Sequence, residues 1–241
     1  MERQRYFGEI IDNLAVLSDD DIYHCTRVMR MKVGEELEVV CDKQVFIGAV
    51  KTLKPFQVEI IGKTKEKREL PCEIILVAAL LKGDKTEFVL QKATELGVSE
   101  IILLNTKRTV VKLKDSQKDG RMNRFHRILK EAAEQSKRVT IPNLYRIIDF
   151  KDLDTIKADV KLIAYEEEAG DTKLFFEKIK ELPKGRRLVV VIGPEGGFSD
   201  DEIVYAKVKG YTPISLGRRI LRAETASLYA LSVISSVLER K

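Results

Sequence analysis

Three segments of the 241-residue chain place glycines beside charged side chains where an apolar run ends. In the first, Val190-Val191-Ile192 leads into Gly193-Pro194-Glu195-Gly196-Gly197-Phe198-Ser199. That pattern predicts a strand, a tight turn with open main-chain amides and carbonyls, and a helix opened by a capping box of Ser199 with Glu202. In the second, Ser215-Leu216-Gly217-Arg218-Arg219-Ile220-Leu221-Arg222-Ala223-Glu224-Thr225-Ala226, a strand ends at one glycine, and Arg222 and Glu224 arrive just before an apolar helix. In the third, Leu80-Leu81-Lys82-Gly83-Asp84-Lys85, a strand again hands over to a helix, with two lysines suited to phosphates. Open α/β sheets bind ligands outside the carboxyl ends of their strands, so these are the places to look for chemistry. The same glycines would also serve ordinary loops, and Glu224 with Thr225 an ordinary helix start.

Other chemistries find little support. The dinucleotide pattern G-x-G-x-x-G and the phosphate loop G-x-x-x-x-G-K-[ST] are missing from any strand-to-helix context, which disfavours nicotinamide enzymes and nucleotide hydrolases. No G-x-S-x-G elbow suggests a serine hydrolase. His24 and His126 are the only histidines and lack ligand-spaced neighbours, while Cys25, Cys41 and Cys72 form no C-x-x-C pair, so no metal is expected and the thiols read as reduced and in or near the core. The first residues lead into no secretory signal, and no window approaches the roughly eighteen apolar residues of a membrane span, so the expected location is the cytoplasm.

The elements that would position these turns fall into two groups. Glu36 to Cys41, Gln44 to Val50 and Gln57 to Ile61 read as closely spaced strands of a small barrel or curled sheet, preceded by a helix capped by Ser18 with Asp21. The polar run from Lys63 to Glu69, followed by Pro71, marks a boundary between domains 1–70 and 71–241. Beyond it, nearly unbroken apolar runs at 74–81, 101–104, 160–165, 188–192 and 213–216 predict buried parallel strands. Helical patterns lie between them. Phe88, Val89, Ala93 and Leu96 make one stripe ended by Gly97; Met122, Phe125, Leu129, Ala132 and Ser136 make another, with Arg124, Arg127, Glu131, Glu134 and Arg138 opposite. Further helices start near Thr172 and after Ser199, and a last one, from about Ala223 to Leu238, is apolar enough for burial on several sides or for a subunit interface. The fold class is α/β.

Charge points the same way as the turns. The net charge is only +5, but residues 107–127 hold eight basic side chains against two acidic ones, a field that suits a phosphate backbone or simply a solvated face.

At these segments the chain resembles the 16S ribosomal RNA (uracil-N3)-methyltransferases of the knotted, SPOUT-type superfamily. The likeness runs through His24-Cys25-Thr26-Arg27-Val28-Met29-Arg30, Lys92-Ala93-Thr94-Glu95-Leu96-Gly97-Val98, Glu131-Ala132-Ala133-Glu134-Gln135-Ser136-Lys137-Arg138, Ile192-Gly193-Pro194-Glu195-Gly196-Gly197-Phe198 and Ile220-Leu221-Arg222-Ala223-Glu224-Thr225-Ala226. It implies a small N-terminal PUA-like β-barrel and a C-terminal α/β domain tied in a trefoil knot, where pattern reading alone gives an ordinary doubly wound sheet. It implies a homodimer that uses S-adenosylmethionine to methylate N3 of a uridine in 16S ribosomal RNA of the small subunit. By position on the family pattern, Gly193, Pro194, Glu195, Gly196, Gly197, Leu216, Gly217, Ile220 and Leu221 are expected to hold the cofactor, with Arg222, Glu224 and Glu195 at the reacting base. Glu195 and Glu224 could each take the proton or merely hold a loop. RNA contacts are expected from Arg3, Arg5, His24, Arg27 and Arg30 on one edge, and from Arg108, Lys112, Lys114, Arg124, Arg127, Gln135 and Arg138 on another. The alternatives are a knotted methyltransferase acting on a ribose hydroxyl or another base, and an RNA-binding assembly factor without turnover.

Overall fold

The computed structural model describes residues 3–66, 68–111, 115–166 and 171–241. The chain forms two compact units, Met1–Glu69 with Ala133–Thr140, and Leu70–Ala132 with Ile141–Lys241.

The first unit contains β1 (Arg5–Phe7), β2 (Glu9–Ile11), β3 (Leu14–Val16), α1 (Asp19–Tyr23) running into a π-turn at His24–Val28, β4 (Glu36–Cys41), β5 (Gln44–Leu53) and β6 (Phe56–Lys63). The strand order is β1-β4-β5-β6-β3-β2, so the strands at the two edges are neighbours in sequence with only Gly8 between them. A flat sheet of six strands is about 24 Å across, and one intervening residue spans only about 7 Å, so the sheet must curl until its edges meet as a barrel. Gly8 is required at that corner, because a Cβ there would lie 2.6 Å from the Val16 carbonyl oxygen. Asp12-Asn13 and Asp42-Lys43 take positive φ in the two-residue turns of hairpins, as such turns demand. Tyr6, Cys25, Leu37, Val39, Val50 and Val58 fill the barrel. The Ser18 cap forms as expected, its hydroxyl accepting the Asp21 N–H at 3.3 Å.

The second unit alternates β7 (Glu73–Ala79), α2 (Lys85–Glu95), β8 (Glu100–Asn105), α3 (Asp115–Gln135, its last residues counted in the first unit), β9 (Asn143–Asp149), a 3-10 turn (Phe150–Thr155), β10 (Val160–Ala164), α4 (Lys173–Glu181), β11 (Arg187–Ile192), α5 (Asp200–Val208), β12 (Thr212–Ile214) and α6 (Ala223–Leu238). Its strands lie all parallel in the order β12-β10-β11-β7-β8-β9. Alternate residues serve the two faces. Ile74, Leu76 and Ala78 pack under α2, α4 and α6, while Ile75 and Val77 pack against α5 and the 3-10 turn. α6 buries Ala226, Ala230, Leu231, Ile234 and Leu238 within its own chain.

Two helical expectations need correcting. Phe88 is 44% exposed, because the buried stripe of α2 runs through Val89, Leu90 and Ala93 instead. Arg138 lies past the end of α3 and is buried. Among the described residues, no helix is long and apolar enough to cross a membrane.

Candidate active site

At the carboxyl ends of β10, β11 and β12 lies a cavity of about 390 Å³, walled by residues 192–195 with 197 and 198, residues 215–223 with Ala226, residues 164–166, and Lys85. This is the volume and the position at which α/β sheets hold small molecules.

The first wall is the turn after β11. A Cβ at Gly193 would sit 3.1 Å from the Phe198 ring, and one at Gly197, whose φ is +66°, would collide with the Glu166 carboxylate, so both glycines allow close approach of main chain. The predicted capping box is present: Ser199 accepts the Glu202 N–H, and Glu202 Oε2 accepts the Ser199 N–H at 2.9 Å. Buried Glu202 does more than cap α5, since its Oε1 accepts the Lys107 N–H at 2.8 Å. The next residue, Arg108, donates from Nη1 to the Gly196 carbonyl at 2.8 Å. The loop after β8 is thereby fastened to the loop after β11.

The second wall is the turn after β12. Gly217 has a φ of +112°, a conformation suited to glycine, and its N–H donates to Ser215 Oγ at 3.2 Å. Leu216 and Leu221 are half-buried, whereas Ile220 is 91% exposed although it borders the cavity. Arg222 is extended, exposed, and caps α6 with its carbonyl, which accepts the Ala226 N–H at 2.7 Å.

Lys85 completes the enclosure. It opens α2, and its ammonium lies 3.3 Å from Glu195 Oε1 and 3.5 Å from Glu224 Oε1. Glu224 Oε2 is buried and has no hydrogen-bond partner among the described residues.

Of the residues expected to hold a cofactor, Gly193, Pro194, Glu195, Gly197, Leu216, Gly217, Ile220 and Leu221 border the cavity, and so does Arg222. Gly196 instead faces Arg108, and Glu224 stands behind the wall, held by Lys85. Sequence reasoning gave no cofactor role to Tyr165 and Glu166, although one ends a predicted strand and the other follows it, and it directed Lys85 to phosphates.

The expected RNA contacts divide by burial. In the first unit Arg3, Arg27 and Arg30 are exposed, Arg3 beside Glu36. His24 Nδ1 is 2.8 Å from the Tyr6 hydroxyl, which burial pushes far above its ordinary value. Arg5 is a correction: its fully buried guanidinium is spent on Glu38, Glu66 and the Lys137 carbonyl. Arg138 is another, paired at 2.6 Å with Glu69. Burial would raise the Glu69 carboxyl, but Arg138, the Val139 N–H and Thr140 outweigh it and hold it below the ordinary value. Gln135 is exposed. In the second unit Arg124 and Arg127 are exposed and pair with Glu87 and Glu131, while Arg108 lies on the Gly196 loop. Lys112 and Lys114 fall outside the described residues. Burial pushes the Cys25 thiol up to about 11, which leaves it no nucleophile at neutral pH. Among the described residues, no group of three potential ligands gathers for a metal.

A family model described as an RNA methyltransferase domain matches residues 68–235, and one described as an RNA methyltransferase PUA domain matches residues 17–61. The ribosomal RNA small subunit methyltransferase E of Bacillus subtilis is 37% identical, the likeness covering 96% of each chain. The chain belongs to this methyltransferase family. A Legionella pneumophila methyltransferase solved with bound cofactor SAM superposes with a TM-score of 0.88 at 32% identity, over 98% of both chains. The ribosomal RNA small subunit methyltransferase E of Neisseria gonorrhoeae, solved with S-adenosyl methionine, gives 0.85 at 27% identity, again over 98% of both. The two units are accordingly the PUA-like barrel and the parallel-sheet domain of the knotted methyltransferases.

Proposed function

We propose that the protein transfers a methyl group from S-adenosylmethionine to N3 of a uridine in 16S ribosomal RNA of the small subunit. One observation carries the reading: the turns at 193–197 and 216–222, far apart in sequence, wall one cavity with Arg222 and Lys85 at its edge, in a chain whose relatives are named ribosomal RNA small subunit methyltransferases.

The cavity suits the cofactor. Its turns offer main-chain donors and acceptors, Leu216, Leu221 and Phe198 offer apolar surface for a purine, and the volume is that of a cofactor site. In this reading the loop Gly193–Gly197, with Leu216, Gly217, Ile220 and Leu221, holds the nucleoside. Bound S-adenosylmethionine supplies a sulfonium-activated methyl group, a chemistry that calls for no metal. The protein must then orient the uracil, take the N3 proton, and stabilise charge as it develops. Arg222, exposed at the start of α6, orients the base and polarises a uracil carbonyl. The Glu195 carboxylate, which borders the cavity, takes the proton, and Glu224 behind the wall holds Lys85 in place.

Exposed Arg3, Arg27 and Arg30 of the barrel, and Arg124 and Arg127 of α3, supply the phosphate contacts. His24, Lys112, Lys114 and Gln135 extend them. The protein acts in the cytoplasm as a homodimer, for which light scattering should give about twice the chain mass of 27.5 kDa.

The test supplies methyl-labelled S-adenosylmethionine and small subunits lacking the modification, then digests the RNA. Label in N3-methyluridine is the expected result. Label in a different nucleoside would refute the assigned position, and cofactor binding without transfer would refute catalysis on this substrate.

A further inference from the structure

We propose that the π-turn of the barrel is a stacking platform for an unpaired base of the substrate RNA, with Tyr23 against the base and Arg27, Arg30 and Lys32 on the phosphates beside it. The inference rests on the reading of RNA as substrate and deepens it, since that reading asks only phosphate contacts of this edge.

The backbone sets the face. The Met29 N–H donates to the His24 carbonyl at 2.9 Å, a bond from i+5 to i, so residues five apart share a face here as residues four apart do in an α-helix. Tyr23, which precedes the turn, is thereby brought to the side that Arg27 and Val28 occupy. The turn is anchored on the barrel core by buried Cys25 and by His24, whose Nδ1 is 2.8 Å from the hydroxyl of buried Tyr6. Arg30, just beyond, takes a φ of +53°, a left-handed conformation that would suit glycine, yet the position holds an exposed arginine. Single π-turns of this kind recur at functional sites.

What the turn exposes is apolar and cationic together. Tyr23 is 63% exposed, and Val28, Met29 and Val33 are exposed with it, so four of the fifteen large apolar side chains exposed among the described residues fall within residues 23–33. Scattered singly such residues need no explanation, but gathered on one short segment they mark a contact surface. Among them stand Arg27, Arg30 and Lys32, exposed and without a side-chain partner among the described residues. Other arginines of this unit are matched, Arg3 with Glu36, Arg5 with Glu38 and Arg68 with Glu66. Residues 22–33 contain no Asp or Glu, and the flanking acids are spent, Asp21 on the Ser18 hydroxyl and Glu35 on the Lys32 N–H.

Charge and ring together choose the occupant. A second copy of the chain docked here about a two-fold axis would bring the same unpaired cations face to face. A fully paired RNA helix offers phosphates but keeps its base faces inside the stack. An unpaired nucleotide offers both, a base face for the Tyr23 ring and flanking phosphates for the three cations.

The experiment compares wild type with Tyr23→Ala, Tyr23→Phe and Tyr23→Trp. The probes are protein-free 16S ribosomal RNA, small subunits lacking the modification, and a fully paired RNA duplex, each titrated over a range of salt. Tyr23→Ala should raise the Kd for 16S RNA about tenfold at every salt concentration, leaving the slope of log Kd against log salt unchanged, because stacking releases no counterions. Tyr23→Phe should stay within about twofold of wild type, and the duplex should bind all four proteins alike. The chain has no tryptophan, so Tyr23→Trp carries a single reporter at the platform; it should bind 16S RNA at least as tightly as wild type, and its emission should be quenched as RNA is added. Wild-type affinity in Tyr23→Ala, a Tyr23→Phe as weak as the alanine variant, an equal loss on the duplex, or tryptophan emission indifferent to RNA would each overturn the inference. So would a loss confined to whole subunits, which would give the patch to a ribosomal protein. The functional reading fails on a separate measurement, the nucleoside that the wild-type protein labels.

Discussion

Glu202 is the residue through which fold and cofactor site can be tested together, by the change Glu202→Gln. It is 4% exposed, and its two oxygens have separate duties: Oε1 accepts the Lys107 N–H at 2.8 Å, and Oε2 accepts the Ser199 N–H at 2.9 Å. Glutamine keeps the shape but has one acceptor oxygen, so its NH2 must face one of these two backbone donors. A hydrogen bond to a charged group contributes about 1.5–3 kcal/mol and a neutral one about 1 kcal/mol, so one bond is lost outright and the other weakened. Burying a neutral amide in place of a carboxylate returns about 1 kcal/mol, leaving a net loss of about 1–4 kcal/mol. Urea unfolding should show the midpoint falling with the slope unchanged. The same contacts fasten the 106–109 loop to the 193–199 turn, so S-adenosylhomocysteine binding should weaken roughly tenfold by calorimetry, about 1.4 kcal/mol. A variant within about 0.5 kcal/mol of wild type, binding S-adenosylhomocysteine normally, would show that Glu202 holds neither loop.

Arg5→Met strips a buried guanidinium from Glu38 and Glu66, and breaking such a pair should lower stability by about 3 kcal/mol in urea unfolding. Exposed Arg27→Ala should leave stability unchanged and reduce the salt slope of RNA binding by about 1. Glu69 gives a pH dependence. Its folded carboxyl lies below the ordinary 4.5, so its stabilising contribution is present above that value and lost as pH falls through the folded one. Glu69→Gln should therefore be less stable than wild type at neutral pH, and the gap should close in acid. Gly197→Ala places a Cβ at a φ of +66° against the Glu166 carboxylate, and should cost about 1–2 kcal/mol by thermal unfolding along with weaker S-adenosylhomocysteine binding.

What the sequence disclosed is what neighbouring residues decide among themselves. The Ser199–Glu202 capping box, the Ser18 cap and the span of α6 depend on spacings of a few residues, and each is found as read. β9 escaped notice because Asn143, Arg146 and Asp149 interrupt its apolar residues, as an edge strand allows. β1, β2 and β3 are three residues each, too short for alternation to register. Closure of the barrel follows from the order of pairing, which no local pattern contains. Lys85 shows the limit most clearly. Its setting, at the end of a strand and before a helix, was legible; its partners, Glu195 and Glu224, lie far along the chain, so the ammonium read as a phosphate ligand when its charge is already engaged.

The basic residues show how energy sorts candidates that composition treats as equal. Lys107 pairs with Asp201, Arg124 with Glu87 and Arg127 with Glu131, so three of the eight basic residues at 107–127 are already matched inside the chain. That does not remove Arg124 or Arg127 from an RNA surface. Exposed pairs contribute between nothing and about 1 kcal/mol, and a phosphate offering a charge-assisted bond can displace such a carboxylate readily. Arg5 and Arg138 are different in kind. Their side chains are 0% and 4% exposed, and freeing either would break an ion pair built on a buried guanidinium, at a cost of about 3 kcal/mol or more, which exceeds what one phosphate contact returns. Arg108 stands between these cases, exposed yet bonded to the Gly196 carbonyl, so RNA that recruited it would loosen the turn proposed to hold the cofactor. The residues able to serve RNA without such a penalty are those whose present bonds are weak, and that ordering comes from burial and partner identity rather than from net charge.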